Sequence, residues 1–335
     1  MLQGLGIVSP APKLSYRWEA SCKNHLALEK EQGIMKNRQQ LLKRKKALKW
    51  FLLFSLPAII IYTVFWIAPI IMTIGISFTN WTGMTKLSQA EFVNIKNYIS
   101  LFNDSILRIC VKNNLIYGIL ILLIVPIASF FLAYIIETFV SKKMFFRTVT
   151  YLPAIIPTIV TVMLWKWIYN PQYGLLNKFL DLVGLDQLER GWLTNASSAL
   201  YAVSFTSVWK TVPVYFVLFL AGLQSVSKDL IEAAVLDGAG RFATIKNVIL
   251  PSIKRIITIV MVLVFIDIFR VFELVYAMTN GGPGYYNTEM ILTYAYKTTF
   301  TNANAGYGMA ITTSLIVFMF ICTALQLRLQ NKEND

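Results

Sequence analysis

Six long apolar stretches constrain this sequence more than any other feature. A helix that crosses the hydrocarbon core of a bilayer needs about 20 consecutive, mostly apolar residues. Lipid offers no hydrogen-bond partners, so a spanning segment must satisfy its backbone internally, as a helix does. The stretches cover residues 50–78, 107–139, 148–169, 199–223, 256–279 and 308–327. The sequence therefore predicts an all-α membrane protein with six transmembrane helices.

Composition and charge exclude two other classes of protein. Only 14% of the 335 residues are charged and 56% are hydrophobic, whereas about 25% of residues are charged in an average soluble domain. The net charge of +14 lies mainly in segments between apolar stretches, so it does not form the basic face of a nucleic-acid-binding domain. We therefore expect membrane lipid, and no nucleic acid, among the partners.

Lysine and arginine also predict the orientation of the six spans. They are abundant before the first span, between spans two and three, between four and five, and after the last. The alternate loops are sparser, and basic loops stay in the cytoplasm. Both termini are therefore predicted to be cytoplasmic.

The amino-terminal segment is predicted to lie outside the membrane domain. Residues 2–12 are weakly apolar and lack a preceding basic region, so they do not read as a signal peptide. Met35 begins a lysine-rich approach to the first span. We expect residues 1–35 to be a disordered tail or a mis-called extension, with Met35 as the alternative start, and residues 36–335 to form the six-span domain.

Catalytic and metal-binding signals are weak in this sequence. The three cysteines are far apart and His25 is the only histidine, so no Cys/His cluster of the kind that binds a metal can form. The sequence contains no phosphate-binding loop of the P-loop type. The chain is therefore not expected to be an enzyme, to bind ATP or to hold a metal.

The loop at residues 224–255 is predicted to form two short helices joined by a sharp turn. Ser227 is a suitable N-cap for a helix over 228–236, and Gly238 can adopt the positive φ of a helix end. A second helix should then run to the residue before Pro251. Such a rigid projection can dock in a groove of a partner.

The same loop contains Glu232, Ala233, Ala234, Asp237, Gly238, Leu250 and Pro251. In these residues and their spacing it resembles the EAA loop of binding-protein-dependent ABC permeases. Two further segments resemble the sugar-uptake branch that contains the maltose and glycerol-3-phosphate permeases: Leu56-Pro57-Ala58, and the glycine-rich turn Asn280-Gly281-Gly282-Pro283. The resemblance covers about residues 50–329.

The resemblance implies a fold, partners and roles for these residues. The fold is the transmembrane domain of a type I ABC importer, in a bacterial cytoplasmic membrane, with the EAA helices coupling it to an ATPase. The partners are a second homologous permease, two cytoplasmic ATPases that bind ATP and magnesium, and an extracytoplasmic sugar-binding protein. Glu232 would contact the ATPase, Asp237 and Gly238 would shape the turn, and residues 280–283 would lie near the external gate. The chain would then form half of a sugar path.

Four charged residues in the fourth and fifth spans admit two interpretations. Lys210, Asp267, Arg270 and Glu273 are costly in a membrane unless they have a function or a partner. Asp267 and Arg270 are spaced to pair, and Lys210 can pair with Asp267 or Glu273, which would fix the packing of the bundle. Alternatively, the four residues line the translocation path and bind sugar hydroxyls.

A second function also fits a chain with buried charges. Ion-coupled secondary transporters of small polar solutes place ionisable residues within their spans. The EAA loop has no role in such a protein, which favours the ABC permease.

Overall fold

The computed structural model describes Lys43, Arg44, Lys46 and residues 49–332, with side chains as far as Arg328. The prediction of an amino-terminal tail over residues 1–35, and that of Met35 as the start, lie outside the described residues. The chain divides into two compact units between Ile70 and Ile71.

The described part of the first unit is one apolar helix, α1, which runs over Lys49–Ile76 and ends in the second unit. A π-helical segment interrupts it at Thr63–Ile67. Ring pairs Trp50–Phe54 and Tyr62–Trp66 lie along the helix. Its large apolar side chains are exposed in the single chain, as expected of a helix that meets lipid or a partner.

The regular secondary structure among the described residues of the second unit is helical, apart from one antiparallel bridge between Thr79 and Phe92, and loops connect the helices. Its helices are α2 (Lys96–Asn103), α3 (Ser105–Phe139), α4 (Lys143–Ile155), α5 (Thr158–Ile168), α6 (Leu175–Leu182), α7 (Ala199–Gln224), α8 (Lys228–Leu236), α9 (Arg241–Ser252), α10 (Lys254–Arg270), α11 (Glu273–Thr279), α12 (Ile291–Tyr296) and α13 (Ala305–Lys332).

Four of the described helices are long and apolar enough to cross a membrane: α1, α3, α7 and α13. Two bent pairs raise the number to six if each is one span: α4 with α5, bent by 95°, and α9 with α10, bent by 75°. The all-α membrane fold predicted from the sequence is confirmed, with two of its spans broken rather than straight.

Two helix breaks fall inside the predicted spans. The stretch 148–169 is interrupted at Ile156-Pro157, because the proline forces the preceding residue into an extended conformation, with φ −64° and ψ 127°. The stretch 256–279 is interrupted after Arg270, at Val271 and Phe272. Neither of these two residues is a proline or glycine, so local sequence gives no warning of this break.

The predicted end of the second loop helix before Pro251 is wrong. Helix α9 includes a π-helical segment at Ile245–Ile249 and continues as a further helical turn over Leu250–Ser252. Pro251 occupies the first turn of this new segment, where a backbone N–H would have no partner within the helix. The proline therefore does not stop the helix there.

The core lies where α3 packs against α7 and α10. Ile121, Val125, Phe216 and Val260 are among its fully buried side chains. Gly118 allows α3 to approach α10 closely, since a Cβ atom there would lie 2.9 Å from Ile268 Cγ2. Small residues at such crossings are typical of membrane helices.

Polar side chains tie the start of α3 to distant parts of the chain. Asn113 Nδ2 donates to the carbonyls of Tyr286 and Glu289, both at 2.9 Å. Asn114 Nδ2 donates to the Ile268 carbonyl at 3.3 Å, and Asn114 Oδ1 accepts from the Ile291 amide at 2.8 Å. Buried amides are costly without such partners, so these bonds fix how α10, α12 and the intervening loop meet α3.

Asp104 caps α3 and joins it to α12 and α13. Its Oδ1 accepts from the first-turn amides of Ile106 and Leu107. Its Oδ2 accepts from the hydroxyls of Tyr294 at 2.8 Å and Tyr307 at 2.7 Å. Burial alone would raise the pKa of Asp104, but these four hydrogen bonds to the carboxylate lower it below the ordinary 3.8.

Candidate functional site

One cavity brings together all four charged residues of the fourth and fifth spans. Lys210, Asp267, Arg270 and Glu273 line an open space of about 460 Å³, with the hydroxyls of Tyr117, Thr158, Ser207 and Thr211 beside them. We call it the charged cavity. Sequence spacing alone could not show that Lys210 of α7 faces the three residues that flank the break after α10.

Two helix breaks contribute to this cavity, the one between α4 and α5 and the one between α10 and α11. Thr158 follows the bend between α4 and α5, while Val271 and Phe272 are the two residues between α10 and α11. Backbone that leaves a helix at membrane depth is tolerated where it lines a cavity or is buried in protein. The cavity and the breaks therefore form one structural feature.

The charged residues do not neutralise one another as ion pairs. Asp267 Oδ2 accepts a hydrogen bond from the Tyr215 hydroxyl at 2.6 Å. Lys210 Nζ donates to the Ile156 carbonyl at 2.6 Å, a group freed by the helix break. The pair that the spacing of Asp267 and Arg270 allows does not form among the described residues. Arg270 and Glu273 make no hydrogen bond or close ion pair in this part of the chain.

This arrangement leaves groups available for a polar ligand. The Arg270 guanidinium offers several donors in a fixed geometry, and the Glu273 carboxylate offers acceptors. Two cations and two carboxylates in one cavity balance in formal charge. Such a site suits a neutral ligand with many hydroxyls, which can both donate and accept hydrogen bonds.

The loop that contains the EAA residues projects exposed side chains. The helix predicted over 228–236 is present as α8, and Ser227 Oγ accepts from the Asp229 amide at its start. Gly238 ends it with φ +82°, where the amide of Ala239 donates to the Ala234 carbonyl at 2.9 Å. Glu232 and Asp237 are exposed.

Two large apolar side chains of the same loop are exposed as well. Leu236 is 87% exposed and Phe242 is 78% exposed. Exposed apolar groups on a polar loop mark a contact surface. A separate contact links the loop to the bundle, since the Arg241 guanidinium lies over the Phe139 ring at the end of α3, 5.1 Å from its centroid.

The glycine-rich turn after α11 is held in a left-handed conformation. Asn280, Gly281 and Gly282 have φ values of +47°, +93° and +98°. The Thr279 and Thr288 hydroxyls lie 2.6 Å apart and share a hydrogen bond, and the Thr288 amide donates to the Gly281 carbonyl. Glycine is required at 281 and 282 because positive φ is strained for other residues.

A buried ion pair beneath this turn was missed by sequence reasoning. Glu289 is completely buried, and its Oε2 accepts from Lys297 Nζ at 2.6 Å. Lys297 Nζ also donates to the Asn280 carbonyl at 2.8 Å. The available signal was a carboxylate and a lysine eight residues apart in an otherwise apolar or uncharged stretch. That signal does not say which charge is buried.

Comparison with known proteins decides the family. Residues 127–334 match the family described as the binding-protein-dependent transport system inner membrane component. The chain belongs to this family. It is therefore a multi-pass membrane permease of the ABC importer type, and not itself the ATPase.

Individual relatives agree with this family over most of the chain. The chain is 33% identical over 278 residues to a probable ABC transporter permease, YurN, of Bacillus subtilis, covering 82% of this chain and 94% of the relative. It is 30% identical over 270 residues to the trehalose/maltose transport system permease MalF of Thermococcus litoralis, covering 80% and 88%.

A solved structure supports the fold of this permease. A chain in the crystal structure of a bacterial alginate ABC transporter, in complex with an alginate pentasaccharide-bound periplasmic protein, superposes with a TM-score of 0.74. The two are 25% identical, and the match covers 84% of this chain and 94% of the other.

Proposed function

We propose that this permease forms half of the translocation path of a carbohydrate importer. The observation that carries the proposal is the charged cavity, where Arg270 and Glu273 flank one helix break and make no hydrogen bond within the described part of the chain. Ligand hydroxyls can replace the water that these groups would otherwise bind. The relatives named for trehalose, maltose and alginate transport support a sugar over another polar solute.

The EAA loop is proposed to couple this path to ATP hydrolysis. Glu232 is exposed on α8, and Leu236 and Phe242 offer apolar area to a partner's groove. Ala233, Ala234, Leu250 and Pro251 would support the two helices. ATP and magnesium would bind two partner ATPases in the cytoplasm, and this loop and both termini would lie on that same side of a bacterial cytoplasmic membrane.

The remaining partners follow from the same proposal. A second homologous permease would supply the other half of the path, and an extracytoplasmic binding protein would deliver the sugar. The turn Asn280-Gly281-Gly282-Pro283 would form part of the external gate. Its positive-φ backbone, held by the hydrogen bond between Thr279 and Thr288, gives the turn a defined shape that supports that role.

The coupling proposal is tested by affinity purification of the tagged chain from its native membrane in mild detergent, followed by mass spectrometry. Wild-type protein should recover an ATPase and a second permease. Glu232→Lys or Gly238→Asp should lose the ATPase and keep the permease. Recovery of the chain alone, together with solute transport into liposomes without ATP, would refute the importer and favour the secondary transporter.

The path is tested by uptake measurements on neutral isosteres. Arg270→Gln and Glu273→Gln should each lower sugar uptake at least tenfold, since a hydrogen bond to a charged group contributes about 1.5–3 kcal/mol. Asp186→Asn removes an exposed charge that is not part of the cavity lining and serves as the matched control. Unchanged uptake and sugar preference in both cavity variants would remove these residues from the path.

A further inference from the structure

A second polar cavity lies beside the glycine-rich turn. It has a volume of about 440 Å³, and Lys166, Asn170, Thr194, Thr279, Gly282 and Pro283 are among the residues that line it. We call it the turn cavity. It shares no lining residue with the charged cavity.

The two cavities lie at opposite ends of the same pair of helices. Helices α5 and α11 pack against each other. At their amino-terminal ends, Thr158 and Glu273 line the charged cavity. At their carboxyl-terminal ends, Lys166 and Thr279 line the turn cavity. The two helices therefore run side by side from one cavity to the other.

The distance between the cavities follows from helix geometry. A rise of 1.5 Å per residue separates Thr158 from Lys166 by about 12 Å along α5, and Glu273 from Thr279 by about 9 Å along α11. The two helices therefore give similar separations between the cavities. Adjacent rings of a sugar lie too close together to reach one cavity each, whereas the two end rings of a three-ring chain are far enough apart to occupy both cavities.

The turn cavity presents mainly hydrogen-bond donors. Lys166 Nζ has no hydrogen-bond or ion-pair partner among residues 49–328. Asn170 Oδ1 accepts from the amides of Gln172 and Tyr173, which orients its Nδ2 group and leaves it without a bond in the same range. The oxygen atoms of a sugar accept hydrogen bonds from such groups. The cavity lining includes no carboxylate that would neutralise Lys166.

The wall formed by the turn is rigid. Thr279 is held to Thr288, Asn280 is held to Lys297, and Lys297 is paired with the buried Glu289. A cavity whose wall is fixed before the ligand arrives costs less ordering free energy on binding. The wall that the turn contributes to this cavity is therefore preorganised.

We propose that the turn cavity is a second carbohydrate-binding station and that this permease binds an oligosaccharide across both cavities. One end of the sugar would contact Lys166 and Asn170, and the other end would contact Arg270 and Glu273. This inference rests on the proposed carbohydrate import and goes beyond it, because it assigns a preference for chain length to named residues. A sugar of one or two rings would use only one station at a time.

The test compares sugars that differ by one unit in otherwise identical cells. Uptake of radiolabelled maltose and maltotriose, and of melibiose and raffinose, is measured in a strain lacking the chain and complemented with each variant. Lys166→Met and Asn170→Leu are the station variants, Arg270→Gln is the path comparison, and Lys178→Met, on the exposed face of α6, is the matched control. The amount of assembled complex is measured for every variant.

The expected result is a change in the ratio of maximal uptake rates. Lys166→Met should lower the trisaccharide-to-disaccharide ratio about tenfold, the effect of losing one hydrogen bond from a charged donor. Asn170→Leu should lower it less, Arg270→Gln should lower both rates, and Lys178→Met should change neither.

The experiment distinguishes failure of the proposed carbohydrate function from failure of the second station alone. If deleting the chain changes the uptake of none of the four sugars, the proposed carbohydrate function fails and the second station fails with it. If uptake depends on the chain but Lys166→Met leaves the ratio unchanged, or lowers both rates equally, only the second station is overturned.

Discussion

The buried pair of Glu289 and Lys297 makes a quantitative prediction about stability. Removing one partner of a buried ion pair leaves an uncompensated charge and costs about 3–5 kcal/mol. Glu289 is completely buried, whereas the Lys297 side chain is 20% exposed, so the lower end applies. Lys297→Met should therefore lower the free energy of unfolding by about 3 kcal/mol.

Replacing Glu289, alone or together with Lys297, should cost less stability than replacing Lys297 alone. Glu289→Gln leaves Lys297 with its bond to the Asn280 carbonyl and with access to water, so a loss of about 1 kcal/mol is expected. The double variant, Glu289→Gln with Lys297→Met, has no buried charge at this position. It should therefore recover more than half of the free energy of unfolding that Lys297→Met loses. The recovery separates the effect of the charge from the effect of packing.

A cysteine near the pair provides the assay. Cys110 is completely buried and packs with Tyr294 and Ala295 on the segment that follows Glu289. With Cys22 and Cys322 replaced by serine, a thiol-reactive fluorescent dye reports the melting of this region in detergent. A loss of 3 kcal/mol corresponds to a fall of about 6–12 °C, taking 2–4 °C per kcal/mol for a large domain.

Two outcomes would refute this reasoning. The first is a melting temperature for Lys297→Met within about 2 °C of the parent, which would mean that the carboxylate is not held as a buried charge. The second is a double variant no more stable than Lys297→Met, which would mean that the loss comes from packing of the lysine stem.

Three further predictions concern other parts of the second unit. Gly281→Ala should destabilise the protein more than Gly184→Ala in the same melting assay: both glycines have positive φ, but only at 281 would the new Cβ collide with the buried carboxylate. Asp104→Asn should cost about 1–2 kcal/mol at pH 7. Because the pKa of Asp104 is lowered on folding, its stabilisation is present above about pH 4 and lost as pH falls through the folded-state value, so the variant's melting temperature should vary less with pH in that acidic range. Arg241→Gln should lower the sugar transported per ATP hydrolysed in liposomes, because it removes the cation–π contact that ties the EAA loop to α3; unchanged stoichiometry would show that the contact does not transmit motion.

The family and the membrane fold were accessible from sequence because both depend on local patterns. A spanning helix needs a long apolar run, and Ser227 and Gly238 mark the limits of α8 through the chemistry of helix ends. The bend before Pro157 was also readable, since the proline biases Ile156 away from the helix. The predicted span over residues 148–169 contains this bend.

The site depended on tertiary contacts that no local pattern records. Asp267 and Arg270 have the spacing of a pair, but Tyr215 on another helix hydrogen-bonds Asp267 instead. The break at residues 271–272 has neither proline nor glycine, so packing must maintain it. The burial of Glu289 likewise depends on Asn113, whose side chain binds the Glu289 backbone from 176 residues away.

That separation along the chain has a consequence for synthesis in the cell. When α3 enters the bilayer, the partners of its Asn113 and Asn114 side chains lie 154 to 177 residues further along and have not been made. Two unsatisfied amides in hydrocarbon cost several kcal/mol. The nascent permease must therefore keep α3 beside water, the translocon or an insertion chaperone until the ribosome has completed the fifth span and the segment after it.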